Sequence, residues 1–423
     1  MVAQAARLCL LNSSQARGPC HFMVARAARL CLLNSSQARG LCHFIVFILL
    51  LQLAGCSSLK SVKQELQSPE WQVRRLAVGK LADYRGNDEA AALLLKAMDD
   101  PVPRVREGAS DALAQLTDGT PNVALLDLAS NASDNTKLAL IAALDKSGPQ
   151  QAATPFLTSL LLNQPAAIRL AAAKALRTSA DPAKRPSLLA IWTRNEAEEL
   201  RIAALVSASY PATDARKDPN VIREYREIAG QQPDLMRNPK ILAALGDLRI
   251  AEAGPRLLPL MADPELKYLA VESLGKMRCK EAVPGLLDIL LKNESWVMNR
   301  QVCHAIGRIR PKDAAGTLVR LFLESKPDVD RDSWDRTLFI TLAMMKIGGD
   351  DVFEAFASQL TSDTHRDFAL LGLHRMTGAR VVWRENEWLY SWEQIQRFWR
   401  DWWTDNKEKV AAKLDKNAAA EDN

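Results

Sequence analysis

Few residues of this chain have the types and spacing that chemistry requires. After position 56 the only histidines are His304, His365 and His374, and no His-Glu, His-Glu-x-x-His or Cys-x-x-Cys motif pairs ligands for a metal. His304 follows Cys303, but adjacent residues on a helix point about 100° apart and make a poor metal pair. The Gly-x-Ser-x-Gly elbow and the phosphate-binding loop are also absent from the sequence. We therefore predict no catalytic residues, no metal and no cofactor, and expect that the chain is not an enzyme.

One acidic segment has the alternation of a calcium loop, and its members are Asp328, Asp330, Asp332, Ser333 and Asp335. An EF-hand needs glycine at its sixth position and glutamate at its twelfth, where this sequence has Ser333 and Phe339. The pattern favours a solvated loop between helices over a calcium site.

The excess of basic residues lies in the first part of the chain. The sequence has 55 Lys and Arg against 50 Asp and Glu, and residues 1–55 contain five arginines and no other charged residue. From position 56 onward the charges balance. A nucleic-acid-binding protein needs a basic stripe to neutralise phosphates, so this balance argues against that class of partner.

An apolar run at 44–54 follows those arginines. A helix of this length reaches about 17 Å, roughly half of a hydrocarbon core, which indicates a signal peptide and not a membrane span. Residues 1–22 nearly duplicate 23–44, so the true start could be Met23.

The block Leu53-Ala54-Gly55-Cys56 resembles the bacterial lipoprotein signal. The resemblance implies recognition of these four residues by the lipoprotein signal peptidase and lipidation of Cys56, with several acyl chains holding the protein on a bilayer. Ser57 is not the aspartate that retains such proteins in the inner membrane, so the resemblance favours the outer membrane, facing the periplasm. The alternative is a chance cysteine after an ordinary signal peptide.

The remaining chain contains internal repeats of about 32 residues. Basic residues recur at Arg74, Arg106, Lys137, Arg169 and Arg201, and the triplets ending in Gly246, Gly275 and Gly307 recur farther on. Within one unit, Leu266, Leu269, Ala270, Leu274 and Met277 form one helical face, and a second apolar stripe with Pro284 near its first turn follows. Small residues at a shared position, Ala109, Ala172, Ala204 and Ala270, are expected to let neighbouring helices approach closely.

These Asp-Pro openings, Val-Arg steps and Ala-Leu-Gly endings resemble HEAT-like repeats of the phycobilisome-lyase type. The resemblance implies an all-α fold, a right-handed α-solenoid of stacked helical hairpins, over residues 68–378. It weakens at 205–237 and 323–350. No residue of this sequence is identified as a carrier of the lyase activity in the family name.

The recurring basic residues, with Lys267, could form a ladder for an acidic partner. Equal numbers of acidic residues, among them Asp99, Asp100 and Asp263, favour ion pairs between repeats instead. In the repeat register Cys303 corresponds to Val271, about 12 Å along the helix axis from Cys279, which is too far for a disulfide. We expect two buried free thiols.

Six of the ten tryptophans lie within 383–403. Ser391 and Gln394 form a capping box, and Trp392, Ile395, Trp399 and Trp402 then keep helical spacing on one face. We predict a helix that caps the last repeat, with Trp403 off this face and exposed. An exposed Trp403 could alternatively bind cell-wall glycans by stacking.

The sequence therefore predicts five segments: a signal peptide at 1–55, a lipidated tether at 56–67, the repeats at 68–378, a Trp-rich cap at 379–405 and a frayed tail at 406–423. The function we expect is a membrane-anchored, non-catalytic scaffold that binds an envelope protein. The alternatives are a peptidoglycan-binding module that uses the Trp-rich tail, and a lyase-like enzyme or chaperone.

Overall fold

The computed structural model describes residues 58–116, 126, 129–130, 132–146, 153–379 and 390–420. Within these residues the secondary structure is entirely helical. The helices form two compact units, one made of 1–118 with 131–140 and the other of 119–130 with 141–423. The fold is an all-α solenoid of helical hairpins, as the repeats predict.

Among the described residues, the first unit contains four complete helices and the start of a fifth. They are α1 (Leu59–Glu65), α2 (Trp71–Leu81), α3 (Asp88–Ala97), α4 (Pro103–Leu116) and α5 (Asp134–Lys146), and the unit boundary passes through α5. Helices α1 and α4 both pack on α2, and α3 packs on α2 and α4. Leu81, Leu94 and Leu113 are completely buried between them and form the centre of this core.

The second unit contains the remaining helices. They are α6 (Thr154–Ser159), α7 (Ala166–Ala175), α8 (Arg185–Trp192), α9 (Glu198–Ala208), α10 (Ala212–Ala215), α11 (Pro219–Gln231), α12 (Pro239–Leu248), α13 (Gly254–Leu257), α14 (Lys267–Met277), α15 (Val283–Lys292), α16 (Trp296–Ile309), α17 (Ala315–Glu324), α18 (Arg331–Ile347), α19 (Asp350–Ser358), α20 (Arg366–Thr377) and α21 (Trp392–Ala420). Short 3₁₀ turns join several of them, at Pro182–Lys184, Pro233–Arg237, Ala251–Ala253, Leu258–Ala262, Lys280–Ala282, Lys312–Ala314 and Gln359–Thr361.

Helices α12, α14, α16, α18 and α20 pack side by side in sequence, and we call them the principal row. Helices α13, α15, α17 and α19 pair with members of this row and form the second layer of the hairpins. A helix pair cannot cover its own apolar face, so each pair is stabilised by its neighbours.

Asx-Pro dipeptides begin several of the helices. The side chain of Asp218 accepts hydrogen bonds from the N–H groups of Asn220 and Val221, and Asn238 accepts one from Lys240. Each proline then occupies the first helical turn, where its missing N–H has no cost. Asp218 and Asn238 are therefore helix N-caps, whereas Asp100 and Asp263 accept hydrogen bonds within the turns that precede α4 and α14.

Glycines set the spacing within the principal row. A Cβ atom on Gly246 would lie 2.8 Å from the Cα of Ser273, and one on Gly307 would lie 3.6 Å from the Cα of Ala343. The small residues predicted at the repeat interfaces are also buried, since Ala172 and Ala270 have no exposed surface. The helices approach most closely at Gly246 and Gly275, and the predicted alanines are buried.

The amino-terminal part of the repeats differs from the predicted tether at 56–67. Helix α1 already begins at Leu59, after an N-cap at Ser58, and its Val62 is completely buried against α2. The segment forms a helix because burial of Val62 attaches it to α2. The apolar pattern of only seven residues is too short to predict this helix from the sequence.

The carboxyl-terminal part differs from the predicted frayed tail at 406–423. Helix α21 continues to Ala420, and Val410 is buried in it. Tertiary contacts hold this end, because the carbonyl groups of Leu414 and Ala418 accept hydrogen bonds from Arg310 and Arg278. A charged, alanine-rich terminal helix frays when it has no such contacts, and composition does not reveal whether it has them.

None of the described helices combines the length and the apolar character that crossing a bilayer requires.

Candidate functional site

The predicted lipidation site cannot be located in the structure. Leu53, Ala54, Gly55 and Cys56 lie outside the described residues. Cys56 precedes the N-cap of α1, Ser58, by two positions in the sequence.

Trp403 is buried, so the prediction that it is exposed is wrong. Its indole stacks on the ring of Phe353, with centroids 4.4 Å apart, and its Nε1 donates a hydrogen bond of 2.8 Å to Asp350. Only 8% of the residue is accessible. The helical-face argument fails here because α21 packs through two faces: Trp399 lies near His374 of α20 and Trp403 packs on α19.

The capping box at the start of α21 is confirmed. Gln394 N–H donates to the hydroxyl of Ser391, and the Ser391 N–H donates to the side chain of Gln394. The described tryptophans of the tail serve packing, because Trp399 is completely buried and Trp392 lies under the guanidinium of Arg366.

The basic ladder is occupied by contacts within the chain. Arg74 makes a bidentate ion pair with Asp100, and both side chains are mostly buried. The hydrogen bond from Arg74 lowers the pKa of the Asp100 carboxyl below its usual value. Arg106 donates to the carbonyl groups of Asp100 and Pro101.

The ladder residues of the second unit also contact groups within the chain. Arg169 pairs with Glu196, and Lys267 pairs with Glu294. Arg201 donates to the carbonyl of Trp192 and lies over the same indole ring, 4.6 Å from its centroid. Arg74, Arg169 and Lys267 therefore form the ion pairs between repeats that the balance of charges predicts, whereas Arg106 and Arg201 bind main-chain carbonyl groups.

The acidic segment before α18 provides a helix cap. Asp330 is the N-cap residue and accepts a hydrogen bond of 2.7 Å from the N–H of Ser333. The hydrogen bonds from Ser333 hold the pKa of the Asp330 carboxyl below its usual value. Asp335 faces Arg331 at 3.8 Å. These contacts give Asp330 and Asp335 structural roles.

The two cysteines of the repeats are free and buried, as predicted. Burial raises the pKa of the Cys279 thiol to about 11 and that of the Cys303 thiol to about 12. A thiol with such a pKa is almost entirely protonated at neutral pH and is a poor nucleophile.

Lys184 is a buried cation that the sequence did not single out. Its ammonium group donates to the carbonyl groups of Leu176 and Ser179, at the end of α7, and the residue has no exposed surface. Burial lowers the pKa of Lys184 to about 7, and neighbouring Arg185 adds to this shift. Its contacts identify it as a C-cap of the preceding helix.

The helices of the principal row have exposed aromatic side chains at one end and basic side chains at the other, and the ring of Trp334 also packs on Phe368 of α20 with centroids 5.4 Å apart. At the amino-terminal ends of three neighbouring helices lie Tyr268, Trp296 and Trp334, which are 36%, 45% and 46% exposed. Trp296 and Trp334 occupy equivalent positions. Ala305 and Ala343 each lie against a glycine of the previous helix, and each tryptophan lies nine residues before its alanine. Such exposed tryptophans belong to the residue types that dominate the binding energy of protein interfaces.

The opposite ends of these helices are basic. Along α16 the i, i+4 line from Trp296 continues through exposed Arg300 and His304 to Arg308. Burial lowers the pKa of His304, and the charges of Arg300, Arg308 and Lys346 lower it further. We call Tyr268, Trp296, Trp334, Lys276, Arg308 and Lys346 the aromatic-basic face.

A cleft of about 410 Å³ opens at this basic end, and it is lined by Arg216, Asp247, Arg249, Gly275, Lys276, Arg278, Arg308 and Lys346. Asp247 bonds to Lys276 at 2.7 Å, and its carbonyl accepts from Arg216. Lining by six cationic side chains and one carboxylate gives the cleft a positive potential.

Three arginines next to this cleft have an uncommon backbone conformation. Arg249, Arg278 and Arg310 end α12, α14 and α16 with φ of 58°, 56° and 55°. Glycine is the usual residue at such a position, and another side chain costs about 1 kcal/mol or more there. The sequence shows the signal, since an arginine stands three residues after each of Gly246, Gly275 and Gly307, but its conformation becomes evident only in the structure.

Comparisons with known proteins identify the repeats. The model of the HEAT repeats matches residues 59–124, 122–209 and 254–334, together more than half of the chain. No curated protein matches the sequence.

Three solved structures align with parts of the chain at low identity. An engineered protein aligns with a TM-score of 0.41 at 17% identity, over 76% of this chain and 99% of its own. The Kap95:Nup1 complex aligns with a TM-score of 0.38 at 14% identity, over 89% of this chain and 66% of the other. The complex of CpcE and CpcF of phycocyanin lyase from Nostoc sp. PCC7120 aligns with a TM-score of 0.20 at 17% identity, over 76% and 95% of the two chains.

The family model matches more than half of the sequence, and the structure contains paired helices that stack at recurring glycines and are joined by ion pairs between repeats. The chain therefore belongs to the HEAT repeat family.

Proposed function

We propose that this protein is a membrane-anchored, non-catalytic scaffold that binds a partner protein of the cell envelope through the aromatic-basic face. The observation that carries the proposal is the exposure of Trp296 and Trp334 at equivalent positions of neighbouring helices. Two large amphipathic rings on rigid helices offer anchors for a partner at little conformational cost. The adjacent basic residues add electrostatic steering and orientation.

The membrane anchor is the second part of the proposal. It rests on the sequence Leu53-Ala54-Gly55-Cys56 after an apolar run. If Cys56 is lipidated, a single residue separates it from the N-cap of α1, so the first helices lie next to the bilayer. The residue after the cysteine, Ser57, supports the outer membrane as the location.

The glycan-binding alternative loses its principal residue. Trp403 stacks inside the protein and uses its indole N–H for Asp350, so it offers no platform for a sugar ring. Tyr390 and Phe398 stay exposed at the start of this tail, at 41% and 36%, whereas the most exposed of the described tryptophans, Trp296 and Trp334, lie on the principal row.

The first test is a cross-linked pull-down of the lipidated protein from its native envelope. We expect one specific envelope protein to co-purify, and the double variant Trp296→Ala, Trp334→Ala to lose most of it. Leu291→Ala is the matched control, because Leu291 has a similar exposure of 48% on the other helix layer. Equal recovery with all variants would show that the partner binds elsewhere.

The second test addresses the anchor. Metabolic labelling with a fatty acid should mark the unmodified protein and not the Cys56→Ala variant. Equal labelling of both proteins would contradict lipidation at this residue, without bearing on the protein-binding face.

A further inference from the structure

A cavity of about 500 Å³ lies in the second unit and shares no lining residue with the aromatic-basic face. We call it the Tyr210 pocket. The residues that determine what it can bind are Asp145 of α5, Arg177 after α7, Ala203 and Val206 of α9, Tyr210 after α9 and Lys240 of α12. Its volume falls within the roughly 300–1,000 Å³ that is typical of ligand sites.

The pocket borders the segment 205–237, in which the repeat pattern of the sequence weakens. Helices α9 and α12 are in contact, but α10 and α11 separate them in the sequence, whereas a single α-helix separates α12 from α14. On the other side, α7 and α9 pack through small residues, and the hydroxyl of Ser207 donates to the carbonyl of Ala173 at 2.6 Å. The pocket therefore lies where the regular row of helices is interrupted.

The floor of the pocket is apolar and one wall is aromatic. Ala203 and Val206 lie one turn apart on α9 and line the pocket with methyl groups. Tyr210 is 46% exposed, and the ammonium group of Lys184 lies 5.9 Å from the centroid of its ring. These three residues offer a surface for one apolar or aromatic side chain.

Two cationic side chains that line the pocket have no ion pair among the described residues. They are Arg177 and Lys240, and both residues are exposed. Lys174 also lines the pocket, but Glu199 pairs with it at 2.9 Å. The hydrogen bond from Lys174 lowers the pKa of the Glu199 carboxyl, and the charge of Lys240 contributes to the same shift. With this pair and Asp145 counted, the pocket keeps a positive charge, which favours an anionic ligand.

A peptide carboxyl terminus matches these features better than other ligands do. Its carboxylate pairs with guanidinium and ammonium groups, its last side chain covers the apolar floor, and its N–H groups find an acceptor in Asp145. Inorganic phosphate leaves the floor uncovered, and a fatty acid offers no N–H donor to Asp145. A neutral sugar leaves Arg177 and Lys240 without a counter-charge.

We propose that the Tyr210 pocket binds the carboxyl terminus of a partner peptide whose last residue is aromatic or a large aliphatic one. Arg177 and Lys240 bind the terminal carboxylate, and the last side chain packs on Ala203, Val206 and the ring of Tyr210. This site is additional to the aromatic-basic face, and it does not depend on the membrane anchor.

The test measures binding of the peptide Gly-Ser-Gly-Ser-Ala-Phe, labelled with fluorescein at its amino terminus, to the full-length chain by fluorescence anisotropy. The same labelled peptide with a carboxyl-terminal amide should bind at least about tenfold more weakly, because it has no carboxylate. A peptide that ends in Ser in place of Phe should also bind more weakly, because it leaves the floor uncovered. Equal affinity of the acid and the amide, or no binding of the acid, would overturn the proposal.

Substitutions locate the binding site. Arg177→Gln and Lys240→Gln should each weaken binding of the acid peptide by about tenfold, whereas Lys240→Arg keeps the charge and should stay within about threefold. Arg331→Gln is the matched control, because Arg331 lies on α18 with 89% of its side chain exposed. Unchanged affinity in both glutamine variants would place the peptide elsewhere and overturn the proposal.

Two further measurements separate binding from folding and from other ligands. Arg177→Gln and Lys240→Gln should melt at the temperature of the unmodified protein, because both residues are exposed; a lower melting temperature with unchanged peptide binding would assign them to structure. Full displacement of the peptide by an equal concentration of inorganic phosphate would assign the pocket to phosphate and overturn the proposal.

The peptide assay also distinguishes this site from the scaffold proposal. The double variant Trp296→Ala, Trp334→Ala should bind the acid peptide like the unmodified protein, because neither tryptophan lines the pocket. Loss of peptide binding in this variant would contradict the pocket as the site. Failure of the variant to capture the envelope partner, with the peptide still bound, supports both proposals as separate sites.

Discussion

A Cβ atom placed on Gly275 of α14 would lie 2.7 Å from the Cα of Ala305 in α16. Real Cβ atoms essentially never approach a backbone atom so closely, so only glycine allows these two helices their observed separation. The same relation holds between Gly246 and Ser273 one repeat earlier. Contact between the helix backbones is thus a repeated feature of the principal row.

The first prediction concerns this contact. Gly275→Ala should lower the free energy of unfolding by about 1–3 kcal/mol, because the added methyl group forces α14 and α16 apart. Urea denaturation measures the change. Gly316→Ala in α17 is the matched control, since no atom lies within 4 Å of the added Cβ and alanine favours a helix by up to about 1 kcal/mol. A Gly275→Ala variant as stable as this control would show that the helices adjust freely.

The second prediction concerns the attachment of α21. Trp403→Ala should destabilise the protein by about 3–5 kcal/mol, because it removes a buried ring stacked on Phe353. Trp403→Phe keeps a stacked ring but loses the hydrogen bond to Asp350 and part of the buried indole, so its cost should be smaller, about 1–3 kcal/mol. Thermal unfolding distinguishes the two variants. Phe398→Ala, at a position 36% exposed, serves as the control; equal melting temperatures for Trp403→Ala and Phe398→Ala would contradict burial of the indole.

The third prediction is a pH dependence that arises from Lys184. Its pKa is about 7 in the folded protein against 10.5 for an ordinary lysine, so the unfolded chain binds more protons between these values. The free energy of unfolding therefore gains a positive contribution as pH rises from about 7 toward 10.5, and this contribution does not change below pH 7.

Lys184→Met isolates this effect. The variant loses the donor to the carbonyl groups of Leu176 and Ser179 and also loses the buried charge, so its stability relative to the unmodified protein should be lowest at high pH, where Lys184 is neutral. The difference in unfolding free energy between the unmodified protein and the variant should increase as pH rises from about 7 to about 10. A difference independent of pH would mean that Lys184 titrates normally in the folded state.

The fourth prediction concerns the reactivity of the cysteines. Iodoacetamide should modify neither Cys279 nor Cys303 in the folded protein at pH 8, because both thiols are buried and their pKa values are raised. Both should react fully in urea without a reductant. Peptide-level mass spectrometry reports each site separately, and a fraction of either cysteine that reacts only after reduction would reveal a disulfide.

Local patterns made much of the fold predictable. Asp218-Pro219 begins a helix as an N-cap, and Gly246 and Gly275 are points of close approach, since both features depend on a few neighbouring residues. The capping box of Ser391 and Gln394 was visible for the same reason. Ion pairs such as Arg74 with Asp100 followed from the register together with the balance of charges.

The candidate site was harder to predict from the sequence. The sequence drew attention to Trp403 because tryptophans crowd the tail, whereas Trp296 and Trp334 stand alone in their segments. Which of these rings reaches solvent depends on the neighbouring helices, and the structure reverses the expectation. The cleft arises from residues far apart in the sequence, from Arg216 to Lys346, and no single repeat contains it.

By itself the sequence determined the helical class, the period of the repeats and the identity of the residues that begin each helix or bring helices together, because these properties depend on short-range spacing. Only the tertiary structure decided that α21 runs to Ala420, that Trp403 is buried and that Arg249 lies in a basic cleft. The physical reason is that burial and electrostatic potential are set by atoms from several helices at once, and their mutual placement is not written in any local pattern.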